Sequence, residues 1–308
     1  MSYAAETEVG TLYLVSTPIG NLGDTSERAG RILGSVEVVL AEDTRHSSRL
    51  LQHLGVSPRL LSLHQHNEET RIPQVLELLE GGGEVALVSD AGTPLVSDPG
   101  ERLVRRAIEG GHRVVPVPGP SAVLAALVGS GLPTSPFVFL GFVPRKGKDR
   151  TEFLERVATA VETVVVFESP ERLRALIDDL IEYSGAERRA AVARELTKVH
   201  EEFRRGTLGQ LSRYYGEGES PGERTVRGEI TVVVAPADDS VARERVDLLA
   251  GDALARALLE EGLSPSRAAR ELARRLGIAR NRAYDLVQHL VAPDRDTSTP
   301  SDPGLDGT

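Results

Sequence analysis

Five short apolar runs between residues 11 and 120 are each followed by a polar, turn-rich stretch and then by a segment with helical spacing. The runs are TLYLVSTP from Thr11, VEVVLAED from Val36, RLLSLHQHN from Arg59, VALVS from Val85 and HRVVPVPG from His112. Short aliphatic runs of this kind suit strands covered on both faces. Strand and helix in strict alternation leave a parallel sheet with helices on both sides as the economical fold. The helical segments carry their own punctuation. Ser26 or Thr25 is placed to cap SERAGRILGSV, Gly55 closes TRHSSRLLQHLGV, and glycines end TRIPQVLELLEGGG and ERLVRRAIEGG. In the last of these, Leu103, Val104, Ala107 and Ile108 are expected on one buried face.

Beyond PGPSAVLAALVGSGL the spacing loosens. FVFLGFVP, ETVVVFESP, AAVARELT and GEITVVVAP read as strands, with EEFRRGTLGQLSRYY between the last two. The expected organisation is an N-terminal α/β domain with a parallel sheet over 11–122 and a second α/β domain with a mixed sheet over 123–236. A helical module follows over 245–292, as two helices joined near Gly277, and then a disordered tail over 293–308. GEGESPGERTVRG, residues 216–228, reads as a mobile loop.

Composition removes whole classes of chemistry. The chain of 308 residues has no cysteine, which excludes disulfides, thiolate metal sites and cysteine nucleophiles. MSYAAETEVG lacks the basic and apolar parts of a signal peptide, and no apolar run reaches the roughly 18 residues of a membrane span. A cytoplasmic protein without a membrane partner is expected. The net charge of −10 argues against DNA or RNA binding through the whole surface, though not through a local basic patch.

Several near-motifs fail on spacing. GFVPRKGKD has five residues between its glycines where a phosphate loop needs four, and Asp149 stands where a hydroxyl should bind Mg²⁺. GNLG is not a dinucleotide fingerprint, and GPSAV lacks the second glycine of a nucleophile elbow. His64, His66 and Glu68 in HQHNEE have a spacing that suits a metal, but polar lining of a strand-end loop is the plainer reading, and no metal is expected.

The loops at the strand ends are more informative: STPIGNLGD, AEDTR, HQHNE, SDAGTP and PGPSA. In open α/β sheets ligands bind beyond the carboxyl ends of the strands. Small residues there let backbone groups approach a ligand, and Pro18, Pro94, Pro99, Pro118 and Pro120 fix the loop shapes in advance.

TPIGNLGDTSERA, AEDTRHSSRLL, SDAGTPLVSDPG, PGPSAVLAAL, FLGFVPRKGKDR, FESPERL and RELTKVHEE together resemble the small-subunit ribosomal RNA methyltransferases of the tetrapyrrole methylase-like family. The resemblance spans about Thr11 to Pro236. It implies two α/β domains with S-adenosylmethionine bound in the cleft between them. It further implies 2′-O-methylation of a cytidine in the decoding region of small-subunit rRNA, either naked or in the assembled subunit, by a homodimer. Carried over by motif, Pro18, Asp90, Gly92, Thr93, Pro94, Ser121 and Ala122 would shape the donor site. Phe167, Arg194, Glu195 and Leu196 would join them from the second domain.

A general base for the ribose hydroxyl is sought among Glu42, Asp43, Asp90 and Glu195, with Arg45 or Lys198 orienting phosphate or hydroxyl. Each also has a structural alternative: Glu42 and Asp43 could cap the next helix, and Glu195 could pair with Arg194 or Lys198. RNA contacts are expected from Arg145, Lys146, Lys148 and Arg150. Further contacts are expected from Arg267, Arg270 and Arg274, which share one helical face above Leu272, Ala273, Leu276 and Ile278. Two rival readings remain. One is a small-molecule tetrapyrrole methylase, which would need neither RKGKDR nor the C-terminal helices. The other is a non-catalytic ribosome-assembly factor, which would not need intact SDAGTP and PGPSA loops.

Overall fold

The computed structural model describes residues 9–216, 226–238, 251, 254–276 and 280–291. Most of the expected mobile loop, the junction near Gly277 and the tail over 293–308 lie outside the described residues. The chain divides into two compact units, Met1–Pro236 and Ala237–Thr308.

The first unit contains two sheets. In the first, β1 (Thr11–Val15), β2 (Val38–Ala41), β3 (Arg59–Ser62), β4 (Glu84–Val88) and β5 (Arg113–Val117) run in the order β3-β2-β4-β1-β5, and every pair is parallel. Successive side chains point to opposite faces. Leu12, Leu40 and Leu87 therefore pack against Val75, Leu79 and Leu103 of α3 (Glu68–Glu80) and α4 (Glu101–Glu109). Val15, Val39 and Val88 pack against Leu33, Leu50 and Leu51 of α1 (Glu27–Ser35) and α2 (Thr44–Leu54) on the other face. Ser26 caps α1 by accepting from the Ala29 amide at 3.1 Å, and Gly55 closes α2 at φ +70°.

Three local readings differ from the structure. β2 and β3 are shorter than their apolar runs. β2 stops at Ala41 because Asp43 already caps α2. β3 stops at Ser62 because Asn67 folds back to accept from the His64 amide and donate to the Ser62 carbonyl. Ile108 is 59% exposed although Leu103 and Ala107 are fully buried. At 100° per residue it lies about 120° round α4 from the line through those two.

The second sheet holds β6 (Phe137–Phe142), β7 (Thr163–Glu168), β8 (Arg189–Arg194), β9 (Glu202–Thr207) and β10 (Ile230–Val234), in the order β6-β7-β10-β8-β9. Only β6 and β7 are parallel, so this sheet is mixed. β9, sequence EFRRGT, is an edge strand with Arg204 and Arg205 exposed. A charged edge of this kind blunts strand addition and carries no apolar signature in the sequence. Helices α6 (Lys148–Ala158), α7 (Leu173–Ser184) and α8 (Leu208–Gly216) cover one face. The other receives α5 (Ala122–Ser130), whose Val123, Ala126 and Leu127 pack with Val165, Ala191 and Val233. Ile19, from the loop after β1, belongs to the same cluster, so the first sheet's loops are locked onto the second sheet.

In the second unit, residues 254–260 are helical and pack with the helices Pro265–Leu276 and Arg280–Val291 around Leu258, Ala268, Leu272, Ala283 and Val287.

Candidate active site

β1 and β4 are neighbours, yet their chains leave toward helices on opposite faces of the sheet. That reversal opens a crevice at the strand ends, the usual ligand position in such folds. The two loops are stitched together there. Thr17 and Gly92 exchange both backbone bonds, at 2.8 and 3.1 Å. The Thr17 hydroxyl donates to the Ser89 carbonyl at 3.1 Å, and the Ser89 hydroxyl to the Gly92 carbonyl at 2.9 Å. The Thr93 hydroxyl reaches the Pro120 carbonyl at 3.3 Å and so ties SDAGTP to PGPSA. Gly92 sits at φ +84°, and a Cβ there would lie 3.3 Å from Ile19 Cγ2. Leu95 and Ser97, in the same loop, hold left-handed backbone at φ 72° and 74°. Such conformations cost about 1–2 kcal/mol each and persist where surrounding bonds fix them.

A cavity of about 350 Å³ opens between the two sheets. Its first wall comes from Ile19, Asp90, Gly92, Thr93 and Asp98, its floor from Ser121 and Ala122 at the start of α5, and its second wall from Phe142, Phe167, Glu168 and 229–231. The Phe167 ring meets Phe139 at 4.8 Å and Phe142 at 5.3 Å between centroids, which fixes it in place. The lining is aliphatic and aromatic with a few polar groups, all carboxylates and hydroxyls.

Asp90 and Asp98 stand on the first wall, with the carboxylates of Glu42 and Asp43 close by. Asp90 accepts from the Asp43 amide at 3.1 Å. Desolvation first, and the carboxylates of Glu42 and Asp90 second, push Asp98 up to about 6. Partial desolvation, then Asp90, raises Glu42 above the usual carboxylate range, and His64 works against this. Like charges crowded in one site resist ionising together, so Glu42 and Asp98 each keep a proton to higher pH than a free carboxyl does. Asp43 behaves differently. It caps α2 through the Arg45 amide at 2.9 Å and grips the Arg45 guanidinium at 2.9 Å, which holds it down at about 2. It is therefore a weaker base than Glu42 or Asp98.

Residues 11–212 match the family model for Tetrapyrrole (Corrin/Porphyrin) Methylases. The chain is 43% identical to ribosomal RNA small subunit methyltransferase I of Synechocystis sp. over 92% of its own length and 99% of that protein's. To the protein of the same name from Escherichia coli O157:H7 it is 40% identical, covering 91% of this chain and 96% of the other. The chain belongs to the ribosomal RNA small subunit methyltransferase I family. Solved structures share its fold at lower identity. Diphthine synthase superposes with a TM-score of 0.54 at 15% identity, covering 76% of this chain and 93% of that one. Uroporphyrin-III-C-methyltransferase from Thermus thermophilus gives 0.51 at 22%, covering 76% and 96%.

S-adenosylmethionine is the methyl donor of this family of methyltransferases, and the cavity fits it. Its volume lies in the range of small-molecule sites. Apolar walls suit a nucleoside, Gly92 admits close backbone approach, and Asp90, Asp98 and Glu168 complement a ligand that carries a sulfonium and an ammonium.

Of the residues carried over by motif, Asp90, Gly92, Thr93, Ser121, Ala122 and Phe167 line this cavity. Pro18 lines an adjoining one. Pro94 and Leu196 are buried, Leu196 in the cluster with Ile19. Arg194 pairs with Glu202 at 3.0 Å and donates to the Arg227 carbonyl. Glu195 and Lys198 form an ion pair of 2.7 Å, extended by Glu229 at 3.1 Å. Against desolvation, those bonds keep Lys198 above its ordinary value and Glu195 below its own. Lys198 is thus a fixed cation and Glu195 a fixed anion, neither free to exchange a proton near neutrality.

Asp98 and Glu168 line the cavity without having been singled out by the sequence. Glu168 is buried, paired with Arg172 at 2.5 Å and bonded by the Ser169 amide, with its Oε2 unpartnered. Desolvation raises it. A signal did exist for both, since they sit inside SDAGTPLVSDPG and FESPERL.

Among the basic residues, Arg145 and Lys146 are exposed, and Lys148 pairs with Glu152 at 3.4 Å. Arg150 is turned inward, pairing with Asp179 at 2.5 Å and donating to the Pro144 carbonyl at 2.8 Å. In the second unit Arg267 and Arg270 are exposed, while Arg274 and Arg275 share Glu271. Among the described residues no three His, Cys, Asp or Glu side chains converge as a metal site, and no helix is long and apolar enough to cross a membrane.

Proposed function

We propose that the protein transfers a methyl group from S-adenosylmethionine to the ribose 2′-oxygen of a cytidine in the decoding region of small-subunit 16S rRNA, in the cytoplasm. The observation that carries the reading is the carboxylate-walled cavity between the sheets, in a chain whose family relatives bear the name of that substrate. When bound, the donor supplies an electrophilic methyl carbon on a sulfonium, so transfer leaves a neutral thioether and needs no metal. The chain's part is placement and proton removal. The stitched loops hold the donor side rigid, which lowers the entropic part of the barrier. The Glu42, Asp90 and Asp98 carboxylates take up the proton that the 2′-hydroxyl loses as its oxygen bonds to carbon, an effect of roughly 10²–10⁴-fold. A carbon-5 methylation of a pyrimidine would call for a cysteine nucleophile, and the chain has none.

Exposed Arg145, Lys146, Arg267 and Arg270 are the phosphate contacts of this reading. The groove beside Arg267 and Arg270 in the second unit is also lined by Arg274, Arg275 and Arg280 against Glu261 and Glu271, an excess of cations that suits a polyanion. A homodimer is part of the same reading. Leu124 and Val128 stand 52% and 70% exposed one turn apart on α5, an apolar stripe suited to a partner. Light scattering giving a single-chain mass of about 33 kDa across micromolar concentrations would remove that part alone. The activity is tested by incubating small-subunit rRNA, free and as assembled subunits, with the enzyme and labelled S-adenosylmethionine. Label in RNA is expected, and a substrate with a 2′-deoxy residue at the target should stay unlabelled.

A further inference from the structure

A second cavity, of about 220 Å³, adjoins the first and is reached from the other side of the β1 loop. It is lined by Pro18 and Leu22 of that loop, by His46, Arg49 and Leu50 of α2, and by Asp90. Asp90 lines both cavities, so the two meet at this residue. The wall between them is the stitched pair of loops joined through Thr17 and Gly92.

The chemistry of the second cavity differs from that of the first. His46 and Arg49 are exposed and lie three residues apart on α2, hence on one side of the helix. Among the described residues no carboxylate pairs with Arg49 and no acceptor takes its guanidinium protons. The neighbouring Arg45, by contrast, is committed to Asp43. An unpaired guanidinium over a small pocket with an aliphatic floor suits an anion joined to a flat, weakly polar ring.

We propose that this second cavity, between α2 and the β1 loop, receives the acceptor nucleotide, with Arg49 and His46 on a flanking phosphate and the ribose toward Asp90. This rests on the methyltransferase reading of the donor cavity. The cavity is too small for a base-paired helix, so the acceptor enters as a single nucleotide withdrawn from its stack, the usual requirement when an enzyme must reach an atom within structured RNA. Asp90 then joins the two halves of the reaction.

Two variants test this by calorimetry with S-adenosylmethionine and by initial rates on small-subunit rRNA. Arg49→Ala should leave donor affinity within twofold and raise KM for RNA about tenfold, and Arg49→Lys should restore part of the loss. Leu22→Trp, at the partly exposed rim, should cut transfer at least a hundredfold with donor binding retained. Wild-type KM and kcat in both Arg49→Ala and Leu22→Trp would overturn the assignment. If the unaltered protein binds donor yet labels no rRNA, the functional reading itself falls and takes this one with it. If it labels rRNA and the variants match it, only the acceptor cavity falls.

Discussion

Lys198, from the loop after β8, lies directly on Gly20, from the loop after β1: a Cβ at Gly20 would overlap the Lys198 side chain from Cγ to Cε. The lysine cannot simply swing away, because Glu195 and Glu229 hold its ammonium at 2.7 and 3.1 Å. One backbone position in the first α/β half is therefore shaped by a salt-bridged side chain of the second.

Gly20→Ala is accordingly expected to destabilise the protein by about 1–3 kcal/mol through overpacking. In a Lys198→Ala background the same change should cost much less, a coupling of about 0.5–3 kcal/mol. Thermal or denaturant unfolding of the two single variants and the double variant measures it. Additive losses would mean that the contact carries no energy.

The pH profile carries a second signature. Asp98 is pushed up to about 6, while its unfolded value is close to 4. Between those values the folded chain holds a proton that the unfolded chain has released. The contribution of Asp98 to stability is therefore largest below about pH 4, declines as pH rises to about 6, and is flat above. Transfer should show the opposite trend and rise through about pH 6 as Asp98 ionises. Asp98→Asn should flatten both limbs and lower the rate by roughly 10²-fold. A wild-type pH–rate profile in Asp98→Asn would remove Asp98 from the proton path.

The basic residues of RKGKDR should separate by salt. Arg145→Ala and Lys146→Ala should each reduce the slope of log affinity for small-subunit rRNA against log salt by about one. Arg150→Ala should leave that slope unchanged. It should instead cost about 1–3 kcal/mol of stability, because it strands the partly buried Asp179 carboxylate. A reduced slope in Arg150→Ala, with stability intact, would reverse these roles.

Much of this was legible in the sequence, for physical reasons. Uninterrupted aliphatic runs ending in Pro, Gly and Asp mark buried parallel strands and their ligand-facing loops, so the first sheet and the SDAGTP and PGPSA walls could be placed. The limits of β2 and β3 could not, because the side chains of Asp43 and Asn67, rather than hydrophobicity, decide where those strands stop. β9 escaped because an edge strand with Arg204 and Arg205 at its centre has no apolar pattern. Asp98 and Glu168 escaped because their importance lies in burial and in neighbours distant in sequence. Arg150 read as an RNA contact because charge clustering does not reveal which cation finds Asp179, 29 residues on.

The proposed acceptor atom is a ribose oxygen of cytidine. This assignment is tested most directly by mass spectrometry of nucleosides from small-subunit rRNA treated with the enzyme and isotopically labelled S-adenosylmethionine. Label is expected in 2′-O-methylcytidine alone. Label in a base-methylated nucleoside, or in no nucleoside while the donor still binds, would contradict it.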